Sequence, residues 1–529
     1  MPEVRTSHAS SQGPGLHLDR VLASILHRRS LRNQLRRLTT VRHGMVDFSS
    51  NAYLSLSSQP AVQQAFLARL QTAASTPSSN GFSSLLGSGG SRLLDGNSSY
   101  AESLERTIAA FHGAPAGLLF NSAMDANVGL FSCVPQKGDA IVYDELIHAS
   151  VHDGMRLSRA GRRIPFAHRS VWGVSHPDPN HRSLETVLRS LLHGPDGGLF
   201  QSGERSIFIA IEGIYSMDGD VAPLTEIVDC VERCLPRRNG YIVVDEAHST
   251  GIIGDRGRGL VCEQGLESRV WARVLGFGKA IGCTGGIVLC SSAARDYLIN
   301  YARTLIYTTA MAFPSLASIE TAYNFLMTGQ AEPLLHNLRL FIHEAHKLFE
   351  ALCARENVPA EVLRVGKENP TSPIIPIFTP HARSLADYCQ ARSFMVRPIV
   401  APTVPKGRER VRVCLHAANT MPEIHGLVEV RDIVFLVRSR TMAWLSVWIS
   451  ALLASLSAAK YIVPGGRWRD TDGNLVNAHA GCITVDKETG KFWLFGEYKV
   501  EGQTEGGGVS VYSSDDLATW ESHGLALGL

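Results

Sequence analysis

The residues best equipped for chemistry crowd into one stretch, Tyr241 to Lys279. Tyr241-Ile242-Val243-Val244 is a β-branched apolar run expected to form a buried strand. It delivers Asp245-Glu246-Ala247-His248-Ser249-Thr250-Gly251 at its carboxyl end, the edge at which open α/β sheets bind ligands. A second apolar run, Val270 to Leu275, turns through Gly276-Phe277-Gly278 onto Lys279, with Gly282, Gly285 and Gly286 behind it. A lysine held beside a carboxylate and an imidazole suits Schiff-base chemistry. Alone, Asp-Glu-Ala-His also reads as a strand end capping the next helix. A helicase reading of the same letters requires an upstream loop ending in Gly-Lys-Ser/Thr, which is absent before Asp245.

Other strand-like runs must position further groups beside these. Gly117 to Phe120 leads into Asn121-Ser122-Ala123-Met124-Asp125-Ala126-Asn127, a helix start whose free N–H groups suit a phosphate. Ala140 to Tyr143 leads to Asp144-Glu145-Leu146-Ile147-His148, and Ser206 to Ile211 to Glu212-Gly213-Ile214-Tyr215-Ser216-Met217-Asp218-Gly219-Asp220. Strand and helix patterns alternate from about Gly117 to Leu289, which implies a mainly parallel sheet covered on both faces. After Cys290 the pattern turns helical, and a smaller domain follows with the strand-like Pro373 to Phe378 and Arg410-Val411-Arg412-Val413. A planar guanidinium can grip a carboxylate bidentately; Arg410 and Arg412 share one strand face, so both are candidates.

Asp245, His248 and Lys279, set in Val-Asp-Glu-Ala-His-Ser-Thr-Gly and Phe-Gly-Lys-Ala, resemble the pyridoxal phosphate site of the α-oxoamine synthases. This fold-type I family joins an amino acid to an acyl-CoA. The resemblance covers roughly Leu16 to Arg438 and implies a fold-type I α/β transferase with a smaller C-terminal α+β domain. By resemblance, Lys279 carries the cofactor and serves as general base, Asp245 partners the pyridine nitrogen, His248 bonds the ring hydroxyl and His148 stacks on the ring. Ser122, Ala123 and Met124 would cradle the phosphate, while Glu212 and Ser216 line the cofactor edge. Asn51, in Val46 to Leu56, and Arg410 match groups that meet the substrate carboxylate. Thr309, ending Arg303-Thr304-Leu305-Ile306-Tyr307-Thr308-Thr309, matches a residue that reaches the neighbouring subunit's phosphate, so a homodimer with shared sites is implied. No metal is implied.

Several positions depart from the family pattern: Ala52 for an acid, Ser55 for a glycine, Tyr100 for a histidine after the loop Gly87-Ser88-Gly89-Gly90-Ser91-Arg92, Ala123 for a glycine, Met124 for an aromatic residue, and Gly276 for a phosphate-binding threonine. Leu305 to Thr309 and Pro402-Thr403-Val404-Pro405 favour the branch that condenses alanine with a pimeloyl thioester in biotin biosynthesis. The alternatives are a glycine C-acetyltransferase, a serine-using relative of specialised metabolism, and a non-catalytic partner subunit. Partner subunits of this kind lack the lysine, so Lys279 argues against the last.

The 529 residues, net charge +2 and 44% hydrophobic content allow a large core in more than one domain and give no reason to invoke nucleic acid. Ten cysteines without a Cys-x-x-Cys pair suggest neither disulfides nor zinc, and read as intracellular. The compartment expected is cytoplasmic or organellar. Residues 1–45 are expected to be an arm and an amphipathic helix bearing Leu22, Ile25, Leu26 and Leu31; the arginine-rich stretch can also be read as a transit peptide. Residues 46–310 form the cofactor domain and 311–440 the small domain. Residues 441–459 hold an apolar run, Met442 to Ala459, with the shape of a secretory signal or membrane anchor. Residues 460–529, with Ser513-Ser514-Asp515-Asp516-Leu517-Ala518-Thr519-Trp520, resemble the opening blade of a five-bladed β-propeller glycoside hydrolase. One blade cannot close a propeller, and a glycosidase needs two placed carboxylates. The expectation is therefore a gene fusion, against a natural two-domain or membrane-anchored protein.

Overall fold

The computed structural model describes residues 16–32, 34–75, 85–173, 178, 181–366, 370–429, 468–499 and 506–528. The strand-like runs come together in one seven-stranded sheet built from β1 (Ala116–Phe120), β2 (Ala140–Asp144), β3 (Arg162–Phe166), β4 (Ile207–Glu212), β5 (Gly240–Asp245), β6 (Ala272–Gly276) and β7 (Gly286–Cys290). Their order is β1-β7-β6-β5-β4-β2-β3, parallel throughout except for β7, which runs antiparallel to both β1 and β6. Strands β2, β4 and β5 are apolar without polar alternation because both faces are covered. Ile207, Ile209 and Ile211 pack with the helices Leu184–His193 and Leu224–Cys234, whereas Phe208 and Ala210 face the helices Ala123–Cys133 and Ala149–Leu157. Cys230 and Cys234 belong to the first of these layers as buried small hydrophobes, and all ten cysteines are free.

The small domain carries an antiparallel sheet of β8 (Arg364–Val365), β9 (Ile374–Phe378), β10 (Arg397–Ile399) and β11 (Arg410–Cys414), in the order β10-β11-β9-β8. The 24-residue helix Glu332–Arg355 packs against it through Phe349 and Leu352. A two-residue parallel pairing of Val46–Asp47 with Phe394–Met395 ties the segment after the first helix to the segment just before β10. The expected first helix forms over Leu16–Leu31, but Leu18, Val21, Leu22, Ile25 and Leu26 are all exposed in the single chain.

Residues 1–434 make one compact unit and 435–529 a second. In the second unit, β12 (His479–Val485), β13 (Phe492–Lys499), β14 (Gly506–Ser514) and β15 (Glu521–Gly528) form an antiparallel meander in sequence order. Its small core joins Leu494, Tyr512 and Trp520, with Trp468 stacked on Trp520 at 5.7 Å. Asp516 makes the turn before Trp520, its Oδ1 accepting from the N–H groups of Ala518 and Thr519. The apolar run at 442–459 lies outside the described residues. Among those described, no helix is long and apolar enough to cross a membrane.

Candidate active site

Sheet register brings the first groups together. Glu212 at the end of β4 stands opposite Asp245 at the end of β5, and Asp245 opposite Val274 on β6, after which the chain turns onto Lys279. Glu212 and Asp245 are 3% and 6% exposed, so two carboxylates share a nearly dry edge with one ammonium. Burial, then the Asp245 charge, drives the Glu212 carboxyl well above the usual carboxylate range, with Lys279 opposing. Burial lowers the Lys279 pKa while Asp245 and Glu212 hold it back. A lysine moved in that direction is in larger part the free amine near neutrality, the form that acts as nucleophile or base.

Asp245 is held from two sides: Oδ1 accepts from the Ala247 N–H at 2.9 Å and Oδ2 from Asn127 Nδ2 at 2.7 Å. Asn127 gives its second amide hydrogen to Ser150 Oγ at 3.0 Å, and Ser150 Oγ lies 2.7 Å from His148 Nδ1. Since His148 Nδ1 also accepts from the Ser150 N–H at 3.2 Å, we assign the neutral ring's proton to Nε2. Burial lowers the His148 pKa, opposed by Asp245, which favours that neutral form. Asn127 stands in the motif after β1 with no role assigned from the sequence, and Ser150 lies just beyond the His148 motif. Their signal is positional: Asn127 lies one helical turn inside the helix that follows β1, on the face turned to the sheet.

A second relay serves His248. Its Nδ1 is 2.9 Å from the Tyr53 hydroxyl, and that hydroxyl donates to Asn51 Oδ1 at 3.1 Å. With the single Tyr53 proton committed to Asn51, His248 Nδ1 must be the donor, leaving Nε2 as a bare acceptor. Burial, then Lys279 and Arg412, depresses the His248 pKa well below its ordinary value and keeps the ring neutral. Asn51 Oδ1 also accepts from Arg412 Nη2 at 3.2 Å, and Arg412 Nη1 donates to the Ser216 carbonyl at 2.9 Å. Thus Ser216 enters the site through its backbone oxygen.

The two candidate arginines separate clearly. Arg410, carried from the sequence as the carboxylate ligand, is 2% exposed, ion-paired with Asp218, and donates from Nε and Nη2 to the Arg408 carbonyl at 2.9 and 2.7 Å. Its contacts are therefore with Asp218 and the Arg408 carbonyl, one strand level away from Arg412. Arg412 instead touches Asn51 and Ser216, its Nε is buried without a partner among the described residues, and Arg397 stands directly across from it on β10.

The helix Ala123–Cys133 begins at the same edge. Ser122 caps it, its Oγ accepting from the Asp125 N–H at 3.0 Å, so the first-turn N–H groups of Ala123 and Met124 are the ones left for an anion. Gly276 and Gly286 lie beneath. A Cβ at Gly276 would stand 2.9 Å from Ala247 Cβ and 3.2 Å from Ala123 Cβ, and one at Gly286 would stand 2.7 Å from the Ala123 nitrogen. The space of the family's threonine is thus taken by two alanine methyls. Gly276→Thr is expected to lower stability by about 1–3 kcal/mol through overpacking, with partial recovery in the Ala123→Gly background. Thermal unfolding of the two variants checks this, and an unchanged midpoint for Gly276→Thr would refute it.

Thr309 is exposed, and its carbonyl accepts from Asn121 Nδ2 at 2.9 Å, which ties its segment to the residue before Ser122 in the same chain. Ser88 Oγ donates to the Ala310 carbonyl at 2.8 Å and pins the glycine loop alongside. Tyr100 bonds Glu320, which also pairs with Arg69. A cluster that sequence reading passed over is His168, whose Nδ1 lies 2.9 Å from Asp144 and Nε2 2.5 Å from Asp220. Burial works against its charge, but the two carboxylates win and push its pKa up to about 9.

The donor set fits pyridoxal phosphate. A buried carboxylate suits a protonated pyridine nitrogen, a neutral imidazole with a bare Nε2 suits the ring hydroxyl, a lysine suits the aldehyde, and a helix start over glycine suits the phosphate. Among the described residues no group of three or more potential metal ligands comes together.

The model of the aminotransferase class I and II family matches residues 43–430. An 8-amino-7-oxononanoate synthase of Emericella nidulans is 52% identical over 408 residues, covering 77% of this chain and 93% of that protein. The aminoacyl transferase sphA of Aspergillus fumigatus is 38% identical and covers 72% and 79%. Among solved structures, the 8-amino-7-oxononanoate synthase of Francisella tularensis is 26% identical with a TM-score of 0.54, covering 76% of this chain and all of that one. The serine palmitoyltransferase of S. paucimobilis, at 22% identity and a TM-score of 0.64, shares the fold.

Proposed function

Because the chain belongs to the aminotransferase class I and II family, among its pyridoxal-phosphate-dependent α-oxoamine synthases, we propose that it condenses L-alanine with pimeloyl-CoA. The products are 8-amino-7-oxononanoate, CoA and carbon dioxide. The observation that carries the reading is Lys279, which follows β6 at the sheet edge where Glu212 and Asp245 end and whose charge is influenced by both and by Arg412, a guanidinium with an unpartnered Nε. Pyridoxal phosphate, when bound, supplies the electron sink that lets the amino acid lose its Cα proton.

The chain's own groups do the rest. Arg412, fixed by Asn51 and Ser216, receives the amino-acid carboxylate; Asn51 Oδ1 already serves two donors, so only its amide nitrogen is left for substrate. Lys279, once released from the cofactor, takes the Cα proton, and its lowered pKa suits that task. Asp245 holds a positive charge at the ring nitrogen's place, and the Asn127–Ser150 relay orients His148. His248 Nε2 is the acceptor for the ring hydroxyl.

Two further readings accompany this one. The exposed apolar side of the helix Leu16–Leu31 supports a homodimer in which this face is covered and the Thr309 segment serves the neighbouring site. The family match ends at residue 430 and the second unit begins at Phe435, which supports reading 435–529 as an appended segment, joined by gene fusion.

The test is a visible-absorbance titration of the cofactor-loaded chain with alanine, glycine and serine, followed by product assay with pimeloyl-CoA, on the full chain and on one ending at Arg440. Alanine is expected to perturb the spectrum and support turnover, equally in both chains. A response to glycine or serine in its place would move the assignment to the acetyltransferase or serine-using branch. Loss of turnover in the shorter chain would make the tail part of the enzyme.

A further inference from the structure

The strap from Tyr215 to Asp220 leaves the end of β4, passes the active site and is fastened at both ends. At one end the Tyr215 N–H donates to the Asp220 carbonyl at 3.0 Å, the Gly219 N–H donates to the Tyr215 carbonyl at 2.8 Å, and Asp220 is held by His168, itself held by Asp144 of β2. This end is part of the cofactor domain. At the other, Gly219 lies in the left-handed region with φ +75°, and a Cβ there would stand 2.3 Å from the Ile374 carbonyl of β9. Only glycine lets the strap press so closely on the small domain. Beside it Asp218 meets Arg410, whose guanidinium is fixed by the Arg408 carbonyl and lies 4.7 Å over the Phe378 ring. Between the two fastenings sits Ser216, whose carbonyl accepts from Arg412.

We propose that Arg410 and Asp218 are a positioning pair: their buried ion pair fixes the strap across the two domains, and through the Ser216 carbonyl it fixes the guanidinium that receives the substrate carboxylate. The proposal rests on the assignment of Arg412 above. The placement of the residues requires the indirect route. Arg410 is two residues from Arg412 on β11, level with Ile399 and Phe378, whereas Arg412 is level with Arg397 and Pro376. Arg410 is buried at its own level, its Nε and Nη2 given to the Arg408 carbonyl and its Nη1 set against Asp218, whereas Arg412 is the one that touches Asn51 and Ser216. An arginine has many rotamers, and each anchor that selects one before binding removes an ordering cost from the binding step. Ser216 and Asn51 are the two anchors of Arg412, and only the first depends on the strap.

Losing one such anchor is expected to weaken amino-acid binding about three- to tenfold. The test is Asp218→Asn, which keeps the volume and removes the charge, assayed in the cofactor-loaded full chain. The KM for alanine and its spectroscopic Kd are expected to rise by that factor, while kcat at saturating alanine and the KM for the acyl thioester stay within twofold. In an Arg412→Lys background the effect of Asp218→Asn is expected to vanish, because the two act in series. Arg410→Lys, which keeps the charge and drops the bonds to the Arg408 carbonyl, gives the same pattern more weakly and replaces Asp218→Asn should that variant not fold. An undiminished effect in the Arg412→Lys background, or a parallel rise in both KM values, overturns the proposal. If Arg412→Lys alone leaves alanine binding unchanged, the assignment of Arg412 fails; if it weakens binding while Asp218→Asn is silent, only the positioning role fails.

Discussion

Lys279→Ala is expected to abolish condensation, by at least about a thousandfold in kcat, and to remove the near-visible absorbance of a lysine-linked cofactor while leaving the fold in place. The magnitude follows from the number of tasks that converge on one side chain. Lys279 is the amine whose charge acts on Glu212 and Asp245, and burial has already lowered its pKa toward the range of a working base. The surroundings respond to its loss in a readable way. Lys279 is the charge that restrains the upward shift of Glu212, so the variant pushes that carboxyl further toward its neutral form. It also depresses His248 and His148, whose pKa values then rise. The helix start at Ala123 and the Asp245 carboxylate do not involve the lysine, so cofactor is expected to bind with lowered affinity and an aldehyde-like spectrum. Absorbance of the loaded variant with and without alanine, beside turnover with pimeloyl-CoA, makes the comparison. A Lys279→Ala protein that keeps both band and turnover would remove the catalytic assignment altogether.

Much of this site could be read along the chain because the fold places it by a local rule. Strands buried on both faces appear as uninterrupted apolar runs, and their carboxyl ends collect the polar residues that follow. That rule marked Asp245, His148 and Glu212, and the strand bounds fell within a residue or two of those expected. It fails where two residues of one strand compete. Arg410 and Arg412 share a face by the two-residue period, and what divides them is depth across the sheet, fixed by pairing with β9 and β10 and by Asp218 more than 190 positions away. Tyr53 and Asn127 were passed over for the same reason, since each reaches the reacting groups through a partner more than a hundred residues distant, His248 and Asp245. Gly276 was visible as a departure but not as a fit. That two methyls from different elements occupy the threonine's space is a packing fact which no single stretch of sequence contains.

Asp245→Asn is expected to cost about 10²–10⁴ in kcat, the second largest loss, although it changes one atom. Both carboxylate oxygens of Asp245 accept, one from the Ala247 N–H and one from Asn127 Nδ2. An asparagine can present only one acceptor, so its own NH₂ must point at a donor whichever way the amide is turned, and one buried N–H is left unpaired. The larger cost is the lost charge. Breaking a buried charged pair by removing one partner costs about 3–5 kcal/mol, and at about 1.4 kcal/mol per tenfold that falls within the stated range. The missing charge also shows in its neighbours. Asp245 raises the Glu212 pKa, so Glu212 ionises more readily in the variant and partly replaces the anion. It supports the charged form of Lys279, whose pKa falls further, so the lysine becomes a weaker base even where it is free. Under the proposed assignment the alanine carboxylate goes to Arg412, on the other relay, so the KM for alanine is expected to change far less than kcat. Asp245→Glu restores the charge at the wrong length and should recover only part of the rate. Steady-state kinetics on the two variants decides the matter: an Asp245→Asn enzyme within tenfold of the parent kcat would mean that the buried carboxylate is structural, serving Asn127 and the Ala247 turn and nothing in the reaction.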